Sequence, residues 1–127
     1  MPAGIEWVAV AVGGAAGAMM RHAATLGAAR MLPGGFPWGT LLVNVTGSLL
    51  MGAVYVLLIE RGLLPPVWRS FLAVGLLGAF TTFSAFSLDA LALFEAGAPV
   101  RAAVYVVASV VVCILAAMAG IGLARTV

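Results

Sequence analysis

Residues 70–88 read SFLAVGLLGAFTTFSAFSL, a run without a single charge. About 20 predominantly apolar residues are what an α-helix needs to cross the hydrocarbon of a bilayer. Two more uncharged runs, 31–59 and 102–124, lie on either side of it, and the stretch before Arg30 has a similar length but carries Arg21 and His22 in its second half. The chain has 127 residues, 65% of them hydrophobic and 8% charged, and no lysine. A soluble domain of this size needs a charged surface, so the composition points to an integral membrane protein in a lipid bilayer. The pattern predicts an all-α membrane protein with transmembrane helices at about 3–30, 38–59, 67–95 and 100–124, forming one four-helix domain over 1–127.

The punctuation between these runs agrees with that division. Leu32-Pro-Gly-Gly-Phe-Pro37 separates helix 1 from helix 2, and Pro65-Pro66 forbids continuation of helix 2. A short Gly97-Ala-Pro99 turn leads into helix 4. Such short connections make neighbouring helices antiparallel. Gly13, Gly14, Gly17 and Ala18 form a small-residue face with one GxxxG pair, and Gly47 and Gly52 mark helix 2. In lipid, small residues let backbones approach and pack by dispersion contacts. The first segment does not read as a secretory signal, because Glu6 precedes it and there is no basic stretch.

Charge placement bears on partners and orientation. The net charge is +2, carried by isolated arginines at segment ends. That suits headgroup anchoring, whereas nucleic-acid binding needs a clustered basic face. Arg61, Arg69 and Arg125 fall on one side of the expected membrane, Arg30 and Arg101 on the other, with Arg21 approaching the second side from within helix 1. The positive-inside bias is close to nil. Either another feature fixes one topology, or the chain inserts both ways and forms an antiparallel homodimer.

Helix 3 holds the most unusual chemistry. About 28 residues at 1.5 Å each give roughly 42 Å, against a hydrocarbon core of about 30 Å. Its middle, Gly78-Ala-Phe-Thr-Thr-Phe-Ser-Ala-Phe-Ser87, puts threonines, serines and phenylalanines near the midplane. One reading is a local break whose freed carbonyls coordinate a cation. The other is a continuous helix whose hydroxyls bond back to preceding carbonyls. Asn44 lies roughly two turns inside helix 2, where an unpaired amide costs several kcal/mol. Its NH2 group can serve either an anion or a neighbouring helix. Tyr105, Ser109 and Cys113 recur at i, i+4 and i+8, hence on one face of helix 4, as a polar pathway or as packing polars. Phe83 and Phe86, three apart, can present positive ring edges to a dehydrated anion, although phenylalanine pairs usually serve as core.

The ionisable residues exclude several classes. A proton-coupled transporter places a carboxylate deep in the bilayer, whereas Glu6, Glu60 and Glu95 sit at helix ends. Asp89 is about 9 Å from the end of helix 3, within reach of a vestibule or of nearby hydroxyls. Arg21 can snorkel to the interface or draw anions into a vestibule. No metal-ligand cluster, nucleophile triad or phosphate loop is present, so an enzyme is not expected, and the lone Cys113 cannot form an intrachain disulfide.

Three segments together resemble the CrcB/Fluc fluoride channel family: Gly13-Gly-Ala-Ala-Gly-Ala-Met-Met-Arg21, Gly39-Thr-Leu-Leu-Val-Asn-Val-Thr-Gly47 and Gly78-Ala-Phe-Thr-Thr-Phe-Ser-Ala-Phe-Ser87. Their order, spacing and the chain length agree with the family across the whole sequence. The resemblance implies an antiparallel, dual-topology homodimer with two fluoride pores, passive and selective against chloride, exporting fluoride across a prokaryotic plasma or inner membrane. It implies Phe83 and Phe86 as the ring-edge pair, Asn44 as a fluoride-facing donor, and Thr82, Ser84, Tyr105 and Ser109 as pore-lining positions. It also implies a central structural sodium ion held by the backbone carbonyls of Gly78 and Thr81, and it leaves open what Arg21 does. Three positions depart from the family's pattern: Ala85 where many members have threonine, Asp89 where glutamate is commoner, and Cys113 where helix 4 often continues with serine or threonine.

Overall fold

The computed structural model describes residues 3–127. Its helices are α1 Ala3–Met31, α2 Trp38–Glu60, α3 Pro66–Glu95 and α4 Pro99–Thr126, each long and apolar enough to cross a membrane.

Local sequence explains where they begin and end. Pro66 and Pro99 occupy the first turns of α3 and α4, where a missing N–H leaves no helical bond unmade and φ is already suitable. Helix α3 ends by a Schellman arrangement: Ala98 N–H donates to Leu93 O at 3.0 Å and Gly97 N–H to Phe94 O at 3.1 Å. Gly97 takes φ +78° there, a conformation that costs glycine nothing. At the far end of α2, Arg125 grips Glu60 with two bonds, Nη2 to Oε1 at 2.5 Å and Nε to Oε2 at 3.2 Å. That exposed pair fastens the end of α4 to the end of α2.

Two stretches, Tyr55–Glu60 and Ser70–Leu77, wind more widely than an α-helix, with π-type bonding. Arg61 N–H, for example, reaches back five residues to Val56 O at 3.0 Å. Nothing in the residue pattern announces these wide turns. The second of them is the stretch of α3 that lies along α1.

Packing follows the small residues. Gly13 and Gly17 of α1 lie against the backbone of Phe71 and Leu76, and Gly75 of α3 answers them. A Cβ on Gly75 would stand 2.9 Å from Val10 O and 3.0 Å from Gly14 N. Gly14 itself has open space where a side chain would go, so the close face is Gly13 and Gly17. On the other flank, Gly52 of α2 meets Ala117 O and Gly120 of α4 meets Leu49 O. The bundle is therefore two close helix pairs, α1 with the first half of α3 and α2 with α4. This is the backbone contact that association in lipid relies on.

Past Phe83, α3 leaves α1 and packs on the first half of α4. Phe86, Leu93, Ala102 and Tyr105 form the buried cluster there, with Phe36, Leu41 and Ala90 against it. Phe36 stands edge-on to Tyr105, ring centroids 5.4 Å apart. Arg101 holds the loop 32–37 over this cluster, donating to Gly34 O at 3.0 Å and lying 5.9 Å above the Phe36 ring. Many large apolar side chains elsewhere point outward, Val107, Met118 and Leu123 among them, as expected where the surrounding solvent is hydrocarbon.

Candidate functional site

Half way along α3 the backbone leaves the helical region for two residues. Thr81 has φ −87° and ψ 159°, and Thr82 has φ −154° and ψ 118°. Both are ordinary extended conformations, so the change stores no strain of its own. What it changes is the hydrogen-bond accounting, and every freed group has to find a partner or remain open.

The partners are specific. In a continuous helix Thr82 N–H would serve Gly78 O; here it donates to Asn44 Oδ1 at 2.7 Å. Asn44 Nδ2 in turn donates to Thr82 O at 2.9 Å. The two ends of one amide thus clasp the two polar groups of one peptide residue. Ala85 N–H would serve Thr81 O; here it donates to Thr82 Oγ1 at 3.1 Å, an N-cap for the helical stretch Phe83–Glu95. Ala79 O accepts from Arg21 Nε at 3.0 Å. Thr81 N–H keeps its helical bond to Leu77 O at 3.0 Å, and Thr81 Oγ1 joins it at 3.0 Å. The carbonyls of Gly78 and Thr81 lose the N–H groups that an unbroken helix would give them.

The same stretch forms one wall of a groove of about 400 Å³ between α2, α3 and α4. Asn44, Thr81, Thr82, Phe83, Phe86, Ser109 and Cys113 line it, and none of its lining residues is charged. Phe86 is buried and Phe83 is 77% exposed, their ring centroids 5.4 Å apart at 51°. Ser109 is buried, and its Oγ has no hydrogen-bond partner among the described residues. A helical serine can bond back to the carbonyl four residues earlier, so an unpaired hydroxyl in this position calls for a ligand or a water. Asn44 uses one Nδ2 hydrogen on Thr82, which leaves a second donor on the same nitrogen.

Other residues singled out from the sequence lie elsewhere. Ser84 is exposed and outside the groove, its Oγ 3.3 Å from Thr82 Oγ1. Tyr105, one turn before Ser109, is fully buried and donates to Asp89 Oδ2 at 3.2 Å. Asp89 in turn borders two smaller cavities, of about 200 and about 170 Å³, under Phe36 and Pro37. The expected stripe on α4 therefore splits: Ser109 and Cys113 reach the groove, and Tyr105 reaches the Asp89 cluster. Arg21 is half-buried, and its Nε donates to Ala79 O on the backbone of α3. Sequence reading missed the contacts that Phe36 and Arg101 make across the loop, because Phe36 stood there only as a loop residue and Arg101 only in the charge balance.

One test of the Ser109 geometry is independent of any activity. Ser109→Ala removes a hydroxyl that makes no hydrogen bond among the described residues, so the detergent-solubilised protein should unfold at the same temperature or slightly higher. A clear fall in the midpoint would mean that the hydroxyl has a structural partner.

The sequence model of the family described as "CrcB-like protein, Camphor Resistance (CrcB)" matches residues 8–121. A protein of Methylococcus capsulatus named "Fluoride-specific ion channel FluC" is 50% identical over 117 residues, 92% of this chain and 51% of that one. The chain thus spans about half the length of that relative. Proteins of the same name from Saccharophagus degradans and Chelativorans sp. are 47% and 50% identical, covering 92% and 93% of this chain and 87% and 94% of theirs. The names borne by these relatives describe channels, not enzymes.

Proposed function

The chain belongs to the CrcB-like family, and from that premise we propose that it is a fluoride-selective channel whose ion path is the groove beside Thr82. With its four membrane-crossing helices it is a multi-pass membrane protein. The observation that carries the reading is the buried, unpartnered Ser109 Oγ in a groove without charge.

Fluoride binds its water tightly, and a path through protein must replace those hydrogen bonds. The Ser109 hydroxyl and the spare Asn44 N–H supply conventional donors, and Thr82 adds a hydroxyl at the groove wall. Phe83 and Phe86 supply ring edges, whose positive electrostatic potential suits a small anion. Ser84 and Tyr105 lie outside the groove, Ser84 Oγ beside Thr82 Oγ1 and the Tyr105 hydroxyl on Asp89, and they belong to this reading only as residues that flank the path. A neutral lining holds the ion weakly enough to let it leave, as conduction requires. It also offers no carboxylate for proton coupling, so transport is passive and the membrane potential drives fluoride out of the cytoplasm. The membrane is the plasma or inner membrane of a prokaryote.

The working unit in this reading is an antiparallel, dual-topology homodimer with two pores. The near-even arginines on the two sides support it, and so does Phe83, whose ring stands 77% exposed beside the groove until a second copy covers it. The interruption at Thr81 and Thr82 then lies near the bilayer midplane, against its counterpart in the other copy. Gly78 and Thr81 each offer a carbonyl relieved of its helical donor. Hard oxygen ligands of this kind suit sodium, and freed backbone carbonyls are where membrane proteins hold it. Two carbonyls are few for one ion, and the second copy would double the set. When bound, the sodium ion supplies a fixed positive charge that ties the interrupted helices of the two copies together.

Expression in bacteria that lack their own fluoride export should restore growth at a fluoride concentration that arrests the parent strain. Absence of rescue, with the protein present in the membrane, would count against the channel. For the dimer, a tag on the carboxyl terminus should be cleaved to about half by protease added outside sealed vesicles, as dual topology requires. Cleavage of all or none would show a single orientation.

A further inference from the structure

Arg21 is the one charged side chain among the groups that hydrogen-bond around the interruption of α3, the others being Asn44, Thr81 and Thr82. It sits in the second half of α1, half-buried, and its Nε donates to Ala79 O at 3.0 Å across 58 positions of sequence. The contact is made possible by the glycine seam, since Gly13 and Gly17 bring α1 against the α3 backbone one to two turns earlier.

The helical part of α3 ends at Phe80, so Ala79 is one of its last residues. Carbonyls at such an end have no intrahelical donor and carry the negative pole of the helix. A guanidinium on one of them is a C-terminal cap that also brings a full positive charge. The residue before it, Gly78, carries one of the two carbonyls assigned above to sodium. The carbonyls of Gly78 and Ala79 belong to adjacent residues, which brings the Arg21 charge close to an ion held there. The nearest carboxylate along α3, Asp89, already accepts from Tyr105. No acidic side chain is among the groups that hydrogen-bond around the interruption to offset a second positive charge.

We infer that Arg21 is a positioning and specificity residue of the cation site: by capping Ala79 O it leaves Gly78 and Thr81 to the ion, and its fixed charge restricts that ion to a monovalent one. This rests on the sodium reading of the preceding subsection. A divalent cation with the same ligands would meet twice the repulsion from each copy of Arg21, with no carboxylate to offset it. At an effective dielectric constant of about 20, unit charges on the order of 5 Å apart repel strongly enough to move a binding constant by more than tenfold.

The test uses the purified dimer in detergent, with thermal unfolding followed against sodium and, separately, calcium in an otherwise sodium-free medium. The wild type should gain stability with sodium and not with calcium. Arg21→Gln should start less stable, reach half of its sodium effect at a concentration at least tenfold lower, and respond to calcium. Arg21→Lys keeps the charge without the planar fork. It should stay within about twofold of the wild-type sodium midpoint and still ignore calcium. If Arg21→Gln loses stability with its sodium midpoint and calcium indifference unchanged, Arg21 is a cap only and the inference is overturned. Should Arg21→Gln fail to fold, Arg21→Lys decides alone, and a tenfold shift in its sodium midpoint overturns the charge account. A wild type indifferent to sodium would instead overturn the sodium reading, and this inference with it.

Discussion

Asn44→Ala is expected to reduce fluoride flux at least a hundredfold and to lower stability by about 2–6 kcal/mol. The stability figure comes from the clasp. Asn44 satisfies both Thr82 N–H, at 2.7 Å, and Thr82 O, at 2.9 Å. Truncation leaves two part-buried backbone groups without partners, at about 1–3 kcal/mol each. The flux figure follows from position. Thr82 caps the second half of α3 through Ala85 N–H, so losing the clasp releases the segment that aims Phe83 and Phe86. Asn44→Asp sharpens the case: a carboxylate still accepts from Thr82 N–H, cannot donate to Thr82 O, and adds a charge that repels the anion. It should fold better than the alanine variant and conduct no better. Flux near wild type in Asn44→Ala, measured with a fluoride electrode on reconstituted vesicles, would remove Asn44 from the path.

The second large effect concerns the ring pair. Phe83→Ile and Phe86→Ile together should cut fluoride flux by about 5- to 150-fold with the assembly intact. Each ring contributes about 0.5–1.5 kcal/mol through its quadrupole, and each 1.4 kcal/mol is a factor of ten. The two positions separate in stability. Phe86 is buried and packs 5.3 Å from Tyr105, so its replacement should cost about 1–2 kcal/mol through imperfect filling. Phe83 is 77% exposed in the single chain, so its replacement should leave the fold of the chain unchanged. Lower flux with normal dimer recovery on size exclusion is the expected pair of results. Unchanged flux would remove ring edges from the mechanism.

The helices were legible because the charges and the Gly and Pro residues fall between the apolar runs, and a bilayer admits few alternatives. The polar run in α3 and the amide at Asn44 were each recognisable as needing partners. That they satisfy each other was not, because pairing across 38 positions depends on how α2 and α3 cross. Periodicity put Tyr105, Ser109 and Cys113 on one stripe, and a helix face of that length passes through two environments. It runs from the Phe36-roofed cluster at Tyr105 into the groove at Ser109 and Cys113. Arg21 was the least legible residue. A positive charge inside an apolar helix suggests snorkelling. Only the close approach of Gly13 and Gly17 to α3 reveals a carbonyl within its reach. No spacing names the ion, either. Neutral donors and ring edges describe a small anion, and fluoride is proposed from the names of the relatives.

The most direct measurement is ion release from liposomes reconstituted with the purified protein and loaded with fluoride and chloride, with a potassium ionophore to balance charge and no proton gradient. A fluoride-selective channel should give rapid fluoride efflux while chloride is retained until detergent is added. Release of both anions, or of neither, would contradict it.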